Sequence, residues 1–489
     1  MNDPNIPAAS GPNERPLAGH RYHFSGVGGS GMAPLAMLAL SLGATVTGSD
    51  RNLDRGVALH VFEELRRAGV TLLPQDGSGV VENLTAFVHS TAIEKDSPDF
   101  ARAVALDVPR IRRGSFLARL AASRRTVAIA GTSGKSTVTV MTAHILVVAG
   151  YDPSFLGGGA AVQLNGASPP GSLRVGGGEW FVVETDESDG SVAEFTPAIA
   201  ALTNLSRDHK EIDETARNFE SLLTGTTERA VIHVSDPLLE RVAVPSKLDV
   251  LRVAMPGLTW AEPHLRVERI KLEPAAVEFF VGDARARVPF PGILTVENAL
   301  LAIGAAVAAG VPLASAAAAL TTFAGVRRRL ERIGSAQGVD VYDDFAHNPV
   351  KIRAALRALR PSGALRVYYQ PHGYGPTRFF AAELTEAFQD ELRKPGDRLF
   401  LAPIYDAGGT ADRSIRSEDL VRAMRERGVP AEIAPSREEA SRGLVEGARS
   451  GDRILVMGAR DDTLPAFARS LYAALVTRDE SAAAQRDNP

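Results

Sequence analysis

The chain has 489 residues, 45% of them hydrophobic and 23% charged, and its 54 basic and 58 acidic residues leave a net charge of −4. That is room for about three domains of ordinary globular composition, which excludes a disordered chain, and the charge balance gives no support to a nucleic-acid or membrane-surface partner. With no cysteine, disulfides, thiolate metal sites and cysteine nucleophiles are excluded.

Residues 1–20 lack the basic and apolar regions of a signal peptide, and no run reaches the roughly 18 apolar residues that cross a bilayer. The expectations are a flexible leader over 1–20, a similar tail over 478–489, and a cytoplasmic location. Between them strand and helix patterns alternate, predicting an α/β chain with largely parallel sheets. Three sections are expected, at 21–114, 115–325 and 326–477. The basic stretch 110–125 is expected to be the first linker, and the arginines 327–329 mark the second boundary.

The first section opens on a short apolar strand, 22–24, and runs into Gly26, Gly28 and Gly31, spaced as G-x-G-x-x-G. A helix pattern over 32–42, a strand over 44–47 and the acidic Asp50 follow, the context of a nucleotide-diphosphate site. Glycines there let a diphosphate approach backbone N–H groups at a helix start. Gly26, Gly28, Gly29, Ser30, Gly31 and Asp50 are therefore candidate substrate contacts, and Ser90 joins them from the end of the strand Ala86–His89. Alone, this turn fits an NAD-dependent oxidoreductase as well as any other nucleotide-diphosphate binder.

The second section begins on the apolar strand 126–130 and passes through Gly131-Thr132-Ser133-Gly134-Lys135-Ser136-Thr137 into a helix over 138–149. Strand, Gly-Lys-Ser and helix in that order make a phosphate loop, shortened because Ile129 stands where the strict spacing has glycine. Backbone N–H groups cradle phosphates, Lys135 brings a compact positive charge, and the Ser136 hydroxyl is a hard oxygen for Mg2+. The strand Trp180–Glu184 ends in a carboxylate, the usual second Mg2+ anchor, while Asp186, Glu187 and Asp189 are ligands, supports or solvated loop. A strand over 199–203 leads to His209, a candidate metal or phosphate contact. Alanine-rich helices follow at 299–309 and 313–320, and the third section carries apolar strands over 339–342, 366–369, 399–402 and 453–456. A small-molecule kinase explains the phosphate loop but leaves the glycine turn unused.

Together these residues resemble the Mur ligases, ATP-dependent amide-forming enzymes of peptidoglycan synthesis. The marks are the phosphate loop, Glu184-Thr185-Asp186-Glu187-Ser188-Asp189, and Thr203-Asn204 with Asp208-His209. Further marks are Asn298-Ala299, Arg328-Arg329-Leu330-Glu331 and Asp343-Asp344-Phe345-Ala346-His347-x-Pro349. The glycine turn with Gly48-Ser49-Asp50 is similar to one branch, the UDP-N-acetylmuramate–L-alanine and murein tripeptide recycling ligases. There the turn holds a UDP-sugar diphosphate, not NAD. Other Mur ligases carry a carbamylated lysine after the Asp-His pair, and this chain has no lysine between Lys210 and Lys247. Gln370-Pro371-His372-x-Tyr374 looks like the alanine ligases, and the stretch from Val341 to His347 looks closer to the recycling ligases.

The resemblance implies a Rossmann-like UDP-binding domain, a central P-loop ATPase-type domain and a C-terminal Rossmann-like domain. It implies ATP and Mg2+ as cofactors, a UDP-sugar carboxylate and an amino acid or peptide as substrates, and a monomer or homodimer. By the same resemblance, residues 131–137, Asn298, Arg329 and Asp344 hold the nucleotide. Ser136, Glu184 and His209 serve metal. Lys135, His209, Arg329, His347 and His372 face the reacting groups, and Arg378 suits a substrate carboxylate. The chain departs from the family pattern in several places. Ser133 replaces a histidine, Ser136 a threonine, Leu294-Thr295 a His-Asn pair and Asn348 a second histidine. His372-Gly373-Tyr374-Gly375-Pro376 replaces His-Arg-Tyr-Thr-Arg. The His-Asn asparagine and Asn298 form a pair that commonly faces adenine, so base recognition must differ. The alternative expectation is a ligase-like enzyme with another substrate or none.

Overall fold

The computed structural model describes residues 15–57, 60–164, 166–168, 171–207, 211–406 and 412–486. The chain divides into two compact units. One comprises Met1–Lys271, Glu278–Pro289 and Val296–Ala324, the other Leu272–Val277, Phe290–Thr295 and Gly325–Pro489. Both are α/β with largely parallel sheets, as expected.

The first unit carries two sheets. The smaller has five parallel strands in the order Thr71–Leu72, Thr45–Ser49, Arg21–Ser25, Ala86–His89 and Arg110–Arg112. Winding reverses at Arg21–Ser25, and ligands of open α/β sheets bind beyond the strand ends at such a switch point. The glycine turn and Ser90 both leave the sheet there.

Among the described residues the larger sheet has eleven strands, with Arg125–Ala130 between Trp180–Glu184 and Ile199–Leu202, these three parallel to one another. Each of the three is a short apolar run, almost wholly buried, as a strand covered on both faces requires. Glu184 stands beside Ile129 and Leu202 beside Ala130. The strands therefore end level, and the loops after 130, 184 and 202 emerge along one edge. Not anticipated were the strands Arg229–His233, Asp249–Ala254, Leu265–Leu272, Val277–Val281 and Ala284–Val288, which extend this sheet. Charged residues such as Arg266, Glu268 and Lys271 interrupt the apolar signal there.

The second unit has six strands in the order Glu331–Ala336, Val339–Asp344, Arg453–Met457, Leu365–Tyr369, Arg398–Leu401 and Ala431–Ile433. Only the first pairs antiparallel. Asp344 and Tyr369 both stand beside Met457, so the loops after 344, 369 and 457 share an edge.

Three expectations need correction. The stretch 110–125 is not a linker: Arg110–Arg112 is a strand of the first sheet, and Arg113–Ala122 is a helix. Phe116, Leu117, Leu120 and Ala121 recur at helical spacing and are buried, with Phe116 edge-on to Tyr22 and Phe24. The phenylalanine and the two leucines contribute roughly 2 kcal/mol each on burial, and the flanking arginines obscure the pattern. The stretch 478–489 is not a tail from its start, because the helix Leu464–Arg486 runs through it and Arg478 Nε donates to Gln337 Oε1 at 2.9 Å. Of the expected leader, residues 1–14 lie outside the described residues, while 15–20 form a turn that buries Leu17. Among the described residues no helix is long and apolar enough to cross a membrane.

Candidate active site

The phosphate loop takes its shape from the neighbouring strand end. Thr203 Oγ1 and Asn204 Nδ2 donate to the Ser133 carbonyl at 2.8 and 3.0 Å. Asn204 Oδ1 accepts from the Ser133 N–H at 2.9 Å and from Thr132 Oγ1 at 2.7 Å. Gly131 and Gly134 have φ of +141° and +80°, a region that favours glycine. A Cβ would also collide with Thr203 Oγ1 at the first and with Asn298 Oδ1 at the second. Asn298, on the helix Ile293–Ala308, is thus brought against the loop.

Lys135 opens the helix Lys135–Val148, with Ser136 and Thr137 in its first turn. Lys135 Nζ donates to the Gly131 carbonyl at 2.7 Å and lies 2.9 and 2.7 Å from the two carboxylate oxygens of Glu187. Ser136 Oγ donates to Glu184 Oε1 at 3.1 Å, and the Gly158 N–H donates to Glu184 Oε2 at 2.7 Å. The level strand ends explain the meeting, since Glu184 closes the strand beside the one that feeds the loop.

The acids that follow divide between two cations, Lys135 and Arg113. Glu187 faces Lys135, and Arg113 Nη2 donates to Asp186 at 2.9 Å. Asp189 accepts from the Ser191 N–H at 2.9 Å. Burial pulls the Asp186 carboxyl up, but hydrogen bonds from Ser188 and the charges of Arg113 and Lys135 hold it below the usual carboxylate range. The sequence left Glu187 as one of several possibilities, and Arg113 was hidden in the supposed linker.

Ser136 and Glu184 present two hard oxygens beside Lys135. That donor set fits Mg2+, which uses one or two carboxylates and completes its shell with phosphate and water. Among the described residues no group of three His, Cys, Asp or Glu side chains could hold a metal. His209, expected at the metal, lies outside the described residues.

At the glycine turn, Asp50 is buried and both its oxygens accept backbone N–H groups, from Gly28 and Asn52, each at 2.9 Å. Gly29 and Ser30 are exposed. A Cβ on Gly26 would stand 3.8 Å from Ser90 Oγ, so Ser90 borders the turn. Arg113 packs over Gly31, where a Cβ would come within 3.2 Å of Nη1.

In the second unit, Asp344 is buried and accepts the N–H groups of Leu330 and Ala346, each at 2.7 Å. This carboxylate pins the segment 328–331 to the strand end. Arg328 Nη1 and Nη2 donate to the carbonyls of Ala459 and Gly458 at 3.1 and 2.5 Å. The Arg329 guanidinium lies 4.9 Å from the Phe345 ring centre. The structure brings His347 and His372 together, ring centres 4.9 Å apart and edge to face. His347 Nδ1 is 2.9 Å from the Phe345 carbonyl, which makes Nδ1 the protonated nitrogen. Arg378 donates to Ser414 Oγ and pairs with Asp412, each at 2.9 Å. Leu294 is exposed, and Thr295 is buried with its hydroxyl on the Pro291 carbonyl at 2.8 Å.

Comparison with known proteins identifies the family and the fold. Residues 21–125 match the Mur ligase family catalytic domain, 129–306 the Mur ligase middle domain, and 328–460 the Mur ligase glutamate ligase domain. The UDP-N-acetylmuramate–L-alanine ligase of Bdellovibrio bacteriovorus is 32% identical, covering 90% of this chain and 96% of its own. That of a Cyanothece species is 31% identical, covering 91% and 94%. The solved UDP-N-acetylmuramate–alanine ligase of Thermotoga maritima shares the fold at 22% identity, with a TM-score of 0.74 over 94% of this chain and 99% of its own. A murein peptide ligase of Psychrobacter arcticus does so at 24% identity, with a TM-score of 0.67 and the same coverage. With three family domains matched in order and relatives above 30% identical along nine-tenths of the sequence, the chain belongs to the Mur ligase family.

Proposed function

We propose that this ligase joins an amino acid or short peptide to the carboxylate of UDP-N-acetylmuramate, using ATP and Mg2+. The observation that carries the reading is the convergence of Lys135, Ser136 and Glu184 at one sheet edge. The sections 21–114, 115–325 and 326–477 then serve the UDP-sugar, the nucleotide and the amine.

The substrate carboxylate attacks the γ-phosphate, giving an acyl phosphate and ADP. The amine attacks the acyl carbon, phosphate leaves, and the amine loses a proton. Lys135 neutralises charge on the transferring phosphoryl group. Ser136 and Glu184, with His209, would hold Mg2+, which when bound offsets phosphate charge. Residues 131–137 and Asn298 cradle the nucleotide, with Arg329 and Asp344 at its phosphates and ribose. Gly26, Gly28, Gly29, Ser30, Gly31, Asp50 and Ser90 border the UDP-sugar. His347 and His372 meet the acyl phosphate or amine, and Arg378 a carboxylate. Exclusion of water protects the acyl phosphate.

The deciding experiment is phosphate release from Mg-ATP with UDP-N-acetylmuramate across L-alanine, glycine, L-serine and the L-Ala-γ-D-Glu-diaminopimelate tripeptide, with mass spectrometry of the product. One amine giving stoichiometric phosphate and an amide supports the reading and names the amine. Failure of every amine favours the second reading, a ligase with a different substrate. The sequence His372-Gly373-Tyr374-Gly375-Pro376 motivates that alternative.

Gly134→Ala is expected to weaken ATP binding about tenfold or more. A side chain at φ +80° against Asn298 strains the loop, such strain costs roughly 1–3 kcal/mol, and about 1.4 kcal/mol is tenfold in affinity. Titration with a fluorescent ATP analogue reads this directly, and an unchanged affinity would remove Gly134 from the nucleotide site.

A further inference from the structure

We infer that Arg113 is a substrate-binding residue whose guanidinium completes the diphosphate site at the glycine turn. This rests on the UDP-sugar reading above. The first ground is the state of the turn itself. Gly26 and Val27 donate their N–H groups to the Ser49 carbonyl at 2.8 and 3.0 Å, and Gly29 donates to the Gly26 carbonyl at 3.1 Å. Gly28 donates to Asp50 Oδ2 at 2.9 Å. Four consecutive N–H groups are therefore spent on the protein. The turn also contains a carboxylate, and a diphosphate beside Asp50 needs a cation.

Arg113 is placed to be that cation. It begins the helix Arg113–Ala122 and lies across Gly31, where a Cβ would meet Nη1 at 3.2 Å and Cδ at 3.3 Å. The last glycine of the motif thus makes room for a guanidinium. The side chain is 23% exposed, so the group is sheltered but reachable. Nη2 is held by Asp186 at 2.9 Å, with Asp189 at 3.8 Å. Nη1 is the nitrogen nearest Gly31, the last glycine of the turn. A planar fork of donors is the group that suits phosphate oxygens. Asp186 lies next to Glu187, so one loop fixes the cation at the turn and the lysine at the phosphate loop.

The test uses the full chain and two probes, UDP and UMP, by calorimetry, with ATP as control. Arg113→Ala is expected to weaken UDP at least tenfold while changing UMP and ATP by less than threefold. Arg113→Lys keeps the charge without the fork and recovers part of the loss. Asp186→Asn loosens the anchor and weakens UDP alone, by a few-fold, and it serves if Arg113→Ala does not fold. Equal losses for UDP and UMP, a parallel loss for ATP, or no loss would each overturn the inference. If UDP binding depends on Arg113 yet no amine is ligated to UDP-N-acetylmuramate, the ligation reading fails and Arg113 keeps its role.

Discussion

Lys135→Ala is expected to lower amine-dependent phosphate release by at least about 10²–10³-fold, the usual cost of deleting one group that stabilises charge in the transition state. Phosphoryl transfer offers a protein little besides positioning and charge, and Lys135 is the cation that the phosphate loop presents. The structure adds a second consequence. Glu187 is buried, and both its oxygens lie within 2.9 Å of Lys135 Nζ. Removing the lysine strands that carboxylate, and breaking a buried pair from one side costs roughly 3–5 kcal/mol. The single variant should therefore lose both activity and stability. The double variant Lys135→Ala with Glu187→Gln should regain most of the stability and none of the activity. Urea unfolding and phosphate release on the same samples separate the two effects. Activity surviving in a folded Lys135→Ala protein would sink the role assigned to this lysine.

Asp343 should make the second unit less stable as the pH rises. This carboxyl is fully buried, and Arg328 Nε approaches Oδ2 at 3.4 Å. Among the described residues neither oxygen accepts a hydrogen bond. Burial pushes its pKa from 3.8 up to about 7, with Arg328 opposing and Asp344 and Glu331 adding to the rise. The folded state therefore binds the proton more tightly than the unfolded chain. Its contribution is full below about pH 4 and is lost as the pH rises to about 7 and beyond. At about 1.4 kcal/mol per tenfold change in proton affinity, the span is ~4 kcal/mol. Unfolding of the full chain in urea, followed between pH 4 and 8, should show this fall, and Asp343→Asn should flatten it. An equal slope in wild type and variant would place the titration elsewhere.

Much of the site was legible because its signals are local. Gly131 to Thr137 impose a phosphate loop through contiguous residues, and the apolar runs ending at Ala130, Glu184 and Leu202 announce buried parallel strands. The helix Arg113–Ala122 escaped because arginines surround its apolar stripe, and the strands after Leu202 because charged residues interrupt theirs.

Contiguous residues were enough to define the α/β class and to single out the two glycine turns, with Lys135, Ser136 and Glu184 as candidates for the phosphate chemistry proposed above. Pairing was decided by the tertiary structure alone. That Glu187 holds Lys135, that Asn204 shapes the loop through Ser133, and that Arg113 lies across Gly31 each join residues far apart in the chain. A linear pattern shows that several acids follow a strand. Which acid meets which cation depends on parallel register, which aligns the strand ends and sets their loops side by side.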